Sequence, residues 1–338
     1  MKAVVLYGPK QVGYGDLPEL PLKQGEVRVK AAYCGICGSD FHKVAGKANT
    51  RAITYPVALG HEMAGVVAEV GEGVTDLKVG DRVTVDPNWS CKKCYYCKSG
   101  KTSLCQNSRG VVKGMAEYVV SPQENVYKIP DHLSLRHAAL TEPVACCLRG
   151  LDLLEMKSGE RVALVGFGAI GAIMLDLLKK GGAGEIAVIE YNEARRDLAM
   201  EMGATVFFNS QDTEAIEKYA KENPVDRVIE CVGKASAQQT ALNVAGKGAT
   251  VVMFGVSDAA ERLSLSVYDA FIKELTIRTS FVNPHTTERA VRLLASGVID
   301  AERIIAKVLT MEEAVEEFNA PKYSRLGKVL VKVDPLCE

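Results

Sequence analysis

An α/β chain in two parts is predicted: an all-β module first, then a doubly wound parallel sheet flanked by helices. Three observations carry the prediction. Up to about Val144, short alternating or β-branched runs are broken by Gly, Pro and Asp, the pattern of half-buried strands separated by turns. From about Leu148, strand-like runs alternate with helical stretches, which buries a sheet between helices. Between the first such strand and an apolar helical run stands the turn Gly166-Phe167-Gly168-Ala169-Ile170-Gly171.

The elements follow from these patterns in order. In the β module, the runs 2–7, 26–33, 63–70, 81–86 and 115–121 read as strands. In the second part, 161–165, 185–190, 205–208, 226–231, 250–254 and 275–281 read as six strands. Helical stretches at 193–202, 213–222 and 235–245 separate most of them, as parallel crossovers require. After Pro284 come amphipathic segments at 287–295 and 311–318 and a last strand at 328–333. The sequence carries no internal repeat and no low-complexity tract.

Composition narrows the class. The chain has 338 residues, 47% hydrophobic and 25% charged, enough for a large core and two domains. A net charge of −1 gives no reason to expect a nucleic acid or membrane surface as partner. The N-terminal MKAVVLYGPK is too short an apolar stretch for a signal peptide. The longest uncharged apolar run, Val162 to Leu175, falls short of a membrane span. The expectation is a cytoplasmic protein whose ten cysteines are metal ligands and buried thiols.

Cys91, Cys94, Cys97 and Cys105 form a C-x2-C-x2-C-x7-C run. Four thiols in one loop can converge on a closed tetrahedral site, and zinc is its natural occupant. Such a centre carries excess negative charge, and Lys92, Lys93, Lys98 and Lys101 share the loop. A closed site leaves no position for substrate, so this quartet predicts structure rather than reaction.

The glycine turn is a candidate phosphate cradle. Gly166, Gly168 and Gly171 permit a tight turn and close backbone approach, and the helix opening near Ile170 offers free N–H groups to a pyrophosphate. Glu190 ends the next strand, 19 residues after Gly171, where an acid accepts hydrogen bonds from ribose hydroxyls. It would repel a 2′-phosphate, which favours NAD over NADP. Arg195 and Arg196 follow closely and are the residues that would serve NADP instead.

A third constellation lies in the β module. Cys37-Gly38-Ser39-Asp40-Phe41-His42 is followed by Gly60-His61-Glu62. Cys37, His61 and Glu62 offer sulfur, nitrogen and oxygen, a mixed zinc set with room for an exchangeable ligand. His61 and Glu62 would diverge on a regular strand, so both can ligate only where the backbone turns. Asp40 is a candidate partner for the second ring nitrogen of His61. Ser39 and His42 are candidates for carrying a proton outward. Cys34 and Cys37 also spell C-x-x-C, the spacing of a thiol redox pair, but that reading gives Gly60-His61-Glu62 no role. Cys34, Cys146, Cys147, Cys231 and Cys337 are expected to be packing or surface thiols.

With these residues in view, the chain resembles the zinc-dependent medium-chain alcohol/polyol dehydrogenase family from end to end. CGICGSDFH, GHEMAGVVAEVGEGV, VGDRV, the cysteine quartet, Glu142-Pro143 and GFGAIG followed by Glu190 carry the resemblance. It implies a GroES-like catalytic domain over 1–147 and 283–338, a Rossmann NAD-binding domain over 148–282, and an active site in the cleft between them. It implies catalytic-zinc ligation by Cys37, His61 and Glu62, with Glu142 a ligand directly or through water, as in the sorbitol dehydrogenase-like branch. It implies a structural zinc on the quartet, hence two zinc ions per chain. Val232, Gly233, Val256, Ser280, Phe281 and Val282 are implied as backbone around the nicotinamide end. Dimers or tetramers are implied, a homotetramer among them. Two features depart from the pattern: the stretch between Cys105 and Met115 is short, and Gly38 replaces a basic residue.

The expected reaction is NAD-dependent oxidation of a secondary hydroxyl of a polyol or vicinal diol to a ketose or ketone. A sugar-alcohol phosphate is the nearest rival, with Lys43, Lys47 and Arg51 as its phosphate contacts; L-threonine and 2,3-butanediol are others. A catalytically silent nucleotide-binding relative is the reading from another class. Loss of Cys37, Ser39 or His61 would mark it, and all three are present.

Overall fold

The computed structural model describes residues 1–47 and 53–335; Arg51 and Cys337 lie outside them. The chain divides into two compact units, Met1–Ala145 together with Val282 onward, and Cys146–Phe281.

In the first unit, the central sheet is mixed, with seven strands among the described residues. Its order runs Val126–Lys128, Arg82–Val85, Glu62–Val70, Glu26–Gly35, Lys328–Lys332, Ile305–Leu309, and Tyr118–Pro122 also pairs with Glu26–Gly35. The alternation read from sequence is real here. Val27, Val29, Val67, Val83, Val329 and Val331 turn inward and form one apolar core, the period-2 pattern that fixes register. The expected strand at 115–121 begins only at Tyr118, with Ala116 held to Ala3 by a single bridge. Gln11–Asp16, a strand the hydropathy pattern does not predict, pairs with Lys2–Gly8.

That register positions the chemistry. Gly35 pairs with Glu62 and Cys34 with Met63, so the end of one strand meets the start of its neighbour. On the other side Leu330 pairs with Gly35. Three chain segments far apart in sequence therefore reach one edge of the sheet: the residues after Gly35, those before Met63, and Lys328.

The second unit is a six-stranded parallel sheet among the described residues. Its order is Val206–Asn209, Glu185–Glu190, Arg161–Val165, Val225–Glu230, Ala245–Met253, Thr276–Thr279. In chain order this is 3-2-1-4-5-6, the doubly wound arrangement of two mononucleotide-binding halves. Its four inner strands are largely buried, which explains their apolar runs, while the edge strand Thr276–Thr279 is mostly exposed. The expected helices at 213–222 and 235–245 form over Thr213–Glu222 and Ala235–Val244; the one at 193–202 starts as a 3-10 turn.

One buried acid secures the approach to Lys328. Glu317, at the end of helix Met311–Asn319, accepts the amides of Lys322 at 3.1 Å, Tyr323 at 3.2 Å and Ser324 at 2.8 Å. These fix the loop that delivers strand Lys328–Lys332. Glu317→Ala leaves those amides without an acceptor and is expected to lower unfolding free energy by about 2 kcal/mol, measured by urea denaturation, with Glu317→Gln costing less.

Candidate active site

At the shared sheet edge, Cys37 precedes a short helix, Gly38–Val44. Asp40 sits in its first turn and accepts the Cys37 amide at 3.2 Å. Just before the neighbouring strand, Gly60 has φ +85°, a conformation that glycine adopts without a Cβ penalty. The backbone turns there, so His61 stands outside the strand that Glu62 begins. The divergence expected of adjacent strand residues is thereby removed. One donor atom from each of Cys37, His61 and Glu62 lies within 4.8 Å of the others. Glu142, half-buried in helix Thr141–Leu154, is not part of that trio.

Charges around the trio are balanced in pairs. Glu62 is 0% exposed and Lys328 3%. The Lys328 ammonium lies 2.7 Å from Oε1 and 2.6 Å from Oε2, and donates to the Ile36 carbonyl at 3.1 Å. Asp40 is also fully buried, with Lys43 Nζ at 2.9 Å and His61 Nδ1 at 3.4 Å from Oδ1. Burial alone would raise the Asp40 carboxyl, but Lys43 and His61 outweigh it and hold it well below the usual carboxylate range. Burial would depress His61, but Asp40 and Cys37 outweigh it and raise the imidazole. His61 Nδ1 makes no hydrogen bond of its own. A thiol, an imidazole and a carboxylate, converging beside a second buried acid, are a donor set fitted to a cation, and zinc suits their chemistry.

Ser39 and His42 lie on the same helix, three positions apart and both half-buried, so they share a face. Gly38 has nothing near its Cβ position. Lys43, a candidate phosphate contact from sequence, is engaged by Asp40. Cys34 is fully buried, and desolvation pushes its thiol well above the ordinary value, which argues against a redox pair with Cys37. Lys328 was missed by sequence reasoning. The available signal was a lysine leading directly into three apolar strand residues, where burial would require a counter-charge.

The cysteine quartet forms a second cluster, its four sulfurs within 4.8 Å of one another. Cys94 Sγ is 3.6 Å from Cys97 Sγ and 4.0 Å from Cys105 Sγ. Disulfide sulfurs sit at about 2.05 Å, whereas a tetrahedron with Zn–S bonds of about 2.3 Å has edges of about 3.8 Å. The quartet fits zinc. Hydrogen bonds from the Asn107 side chain and the Lys93 and Cys94 amides lower Cys91 to about 6, while desolvation and the neighbouring thiols push Cys97 up to about 12. Four thiolates this close need a cation to coexist.

In the second unit, the glycine turn leaves strand Arg161–Val165 at the point where the strand order reverses. Gly166 has φ +93°, and a Cβ on Gly171 would collide with the Gly166 carbonyl; Gly168 caps helix Ala169–Lys180, which contains Ile170. Glu190 accepts the Phe167 amide at 2.6 Å and the Asn192 amide at 2.8 Å. Arg195 donates to the Phe167 carbonyl at 2.6 Å and lies 4.0 Å from Glu190. Arg196 is directed to Glu193 and the Phe207 carbonyl. Val232, Val256 and Phe281 are exposed, Gly233 has φ +78°, and Ser280 Oγ is buried without a hydrogen bond. Val282, at φ +50°, belongs to the first unit. A glycine turn at the switch point and an acid on the next strand fit a dinucleotide.

Comparison with known proteins identifies the family. Residues 23–131 match the alcohol dehydrogenase GroES-like domain and residues 169–296 the zinc-binding dehydrogenase domain. Sorbitol dehydrogenase of Bacillus subtilis is 31% identical over 93% of this chain and 91% of its own. A D-xylulose reductase A assigned in Aspergillus clavatus is 32% identical over 97% and 95%. Among solved structures, a chain from Sinorhizobium meliloti assigned as a zinc-binding dehydrogenase, bound to NADP, superposes with a TM-score of 0.92 at 34% identity, covering 98% of each. Galactitol-1-phosphate dehydrogenase from Escherichia coli gives 0.89 at 29%, covering 98% and 100%. The 2R,3R-butanediol dehydrogenase of Bacillus subtilis gives 0.88 at 27%, covering 98% and 99%. Two domain matches and full-length relatives above 30% identity place this chain in the zinc-binding alcohol/polyol dehydrogenase family, as an oxidoreductase that uses zinc and a nicotinamide dinucleotide.

Proposed function

We propose that the protein oxidises a secondary hydroxyl of a polyol or vicinal diol to the ketose or ketone with NAD. The convergence of Cys37, His61 and Glu62 carries this reading, and the sorbitol and xylulose relatives support the substrate class. In our assignment those three residues hold the catalytic zinc, with Glu142 acting through water, and the cysteine quartet holds a structural zinc. The catalytic role falls to residues 1–147 and 283–338 and the cofactor role to 148–282.

Zinc, when bound, supplies Lewis acidity that makes an alcohol a better hydride donor, and the dinucleotide supplies the acceptor. The chain's own residues handle the proton. Ser39 Oγ accepts it from the substrate hydroxyl while passing its own to His42, which releases it to solvent. Asp40, 3.4 Å from His61 Nδ1, attracts the imidazole through its charge, and Lys43 keeps Asp40 ionised. Lys328 offsets the charge of Glu62, so the donor set is less negative than its formal sum. Glu190 favours NAD: it stands where a 2′-phosphate would be repelled, and both nearby arginines have partners. The Sinorhizobium relative carries NADP, which makes that the rival cofactor.

A sugar-alcohol phosphate is the second reading, favoured by the galactitol-1-phosphate dehydrogenase among the structural neighbours. Of its three basic candidates, Lys43 is paired with Asp40, Lys47 is exposed and Arg51 lies outside the described residues. For localisation, no helix among the described residues is long and apolar enough to cross a membrane.

We also assign a homo-oligomer. Thr276–Thr279 is an edge strand, and the helix before it, Val267–Ile272, exposes Val267 (75%), Tyr268 (71%) and Phe271 (76%). An open edge beside a row of apolar side chains suits a second copy of the chain.

NADH production across polyols, their phosphates, diols and L-threonine tests the substrate class; turnover confined to phosphates would displace the polyol reading. Cys37→Ser and His61→Ala are expected to lower kcat by about a thousandfold or more while NAD binding stays near wild type. Turnover near wild type in either variant refutes the assignment. Phe271→Glu is expected to shift the native mass by light scattering from oligomer towards monomer, and an unchanged mass removes this face as the interface.

A further inference from the structure

Glu230 is a buried acid with no part in the hydride or proton transfer, and it stands at the switch point of the nucleotide sheet. Any role for it there rests on Cys146–Phe281 being the dinucleotide-binding unit. Glu190 marks the adenosine side of the sheet, beyond the glycine turn. The other mononucleotide half is built on Val225–Glu230, Ala245–Met253 and Thr276–Thr279, and it takes the nicotinamide nucleotide. Glu230 is the last residue of the strand that begins this half.

Its position ties two turns together. Oε1 accepts the amides of Val232 and Gly233, each at 2.6 Å. Its main-chain carbonyl accepts Phe254 N at 2.9 Å and Gly255 N at 2.8 Å, from the turn after the neighbouring strand. The two turns touch: a Cβ on Gly233 would collide with the Val256 carbonyl. One residue therefore sets the shape of both loops at the carboxyl edge.

Shape alone does not call for a carboxylate. Glu230 is 0% exposed, and Oε2 is buried with no hydrogen bond. Burial pushes the carboxyl up, against the opposing amides of Gly233, Val232 and Gly255. A neutral Gln would accept the same two amides without the cost of a buried charge. A cation brought close by the ligand would make the charge favourable, and the oxidised nicotinamide ring is such a cation. Reduction removes that charge and leaves the pyrophosphate unchanged, so the ratio of affinities for the two redox forms isolates the effect.

We propose that Glu230 is a positioning residue for the nicotinamide half of the dinucleotide, and that its carboxylate favours the oxidised, cationic ring over the reduced, neutral one. The test is the Kd of the full-length protein for NAD+ by calorimetry and for NADH by fluorescence, in wild type, Glu230→Gln and Glu230→Asp. Glu230→Gln is expected to raise the Kd for NAD+ about tenfold, the scale of one charge pair in a partly screened site, and that for NADH by less than about threefold. Glu230→Asp keeps the charge and shortens its reach, so both forms weaken while the wild-type ratio persists. A wild-type ratio in Glu230→Gln overturns the proposal, as does a Gln-like ratio in Glu230→Asp, which stands as the decisive variant should Glu230→Gln not fold. Wild-type protein that binds neither form overturns the dinucleotide reading itself, and the proposal with it.

Discussion

Burial of two carboxylates, each paired with a lysine, is the constraint on which the β-rich unit depends. Asp40 and Glu62 are both out of contact with solvent, and removing a carboxylate from water costs several kcal/mol unless it is paired. Lys43 and Lys328 provide the pairing. The consequence is functional: two buried carboxylates, each paired with a lysine, stand beside a thiol and an imidazole. Each lysine comes from a different part of the sequence. The helix after Cys37 supplies one and the C-terminal strand the other, so the site forms only when strands 26–35, 62–70 and 328–332 have all paired. Cys37 and His61 stand on irregular backbone, but each directly adjoins a regular element, the helix Gly38–Val44 and the strand Glu62–Val70, which suits orientation-dependent chemistry.

The nucleotide unit uses acids in a related manner. Glu190 and Glu230 each end a parallel strand, and each accepts two backbone amides of the adjoining turns. A carboxyl so placed orders a loop at the ligand-binding edge of the sheet. Glu190 does this on the ribose side. Glu230 does it deeper in the sheet, fully buried.

Legibility in the sequence was local. The quartet spans one loop and the glycine turn six residues, so spacing alone exposed both. The inner strands of the parallel sheet were legible because burial forces apolar runs. Cys37, His61 and Glu62 were readable as a set from their donor chemistry, and the family resemblance supported it, although their convergence depends on the turn at Gly60. The role of Lys328 was not readable. Its partner Glu62 lies 266 positions away, and nothing local reveals that strand 328–332 pairs with 26–35. The helix at 38–44 was hidden by a polar, glycine-containing sequence, and strand Gln11–Asp16 by its half-exposed, glycine-rich composition. The engagement of Arg195 with the Phe167 carbonyl depends equally on the fold.

The central claim is that Cys37, His61 and Glu62 surround a resident zinc ion distinct from that of the quartet. Anomalous diffraction at the zinc edge tests it most directly. Two peaks are predicted for each chain, one inside the four sulfurs and one within bonding distance of Cys37 Sγ and a His61 ring nitrogen. A single peak at the quartet, in crystals grown with zinc in excess, would contradict it.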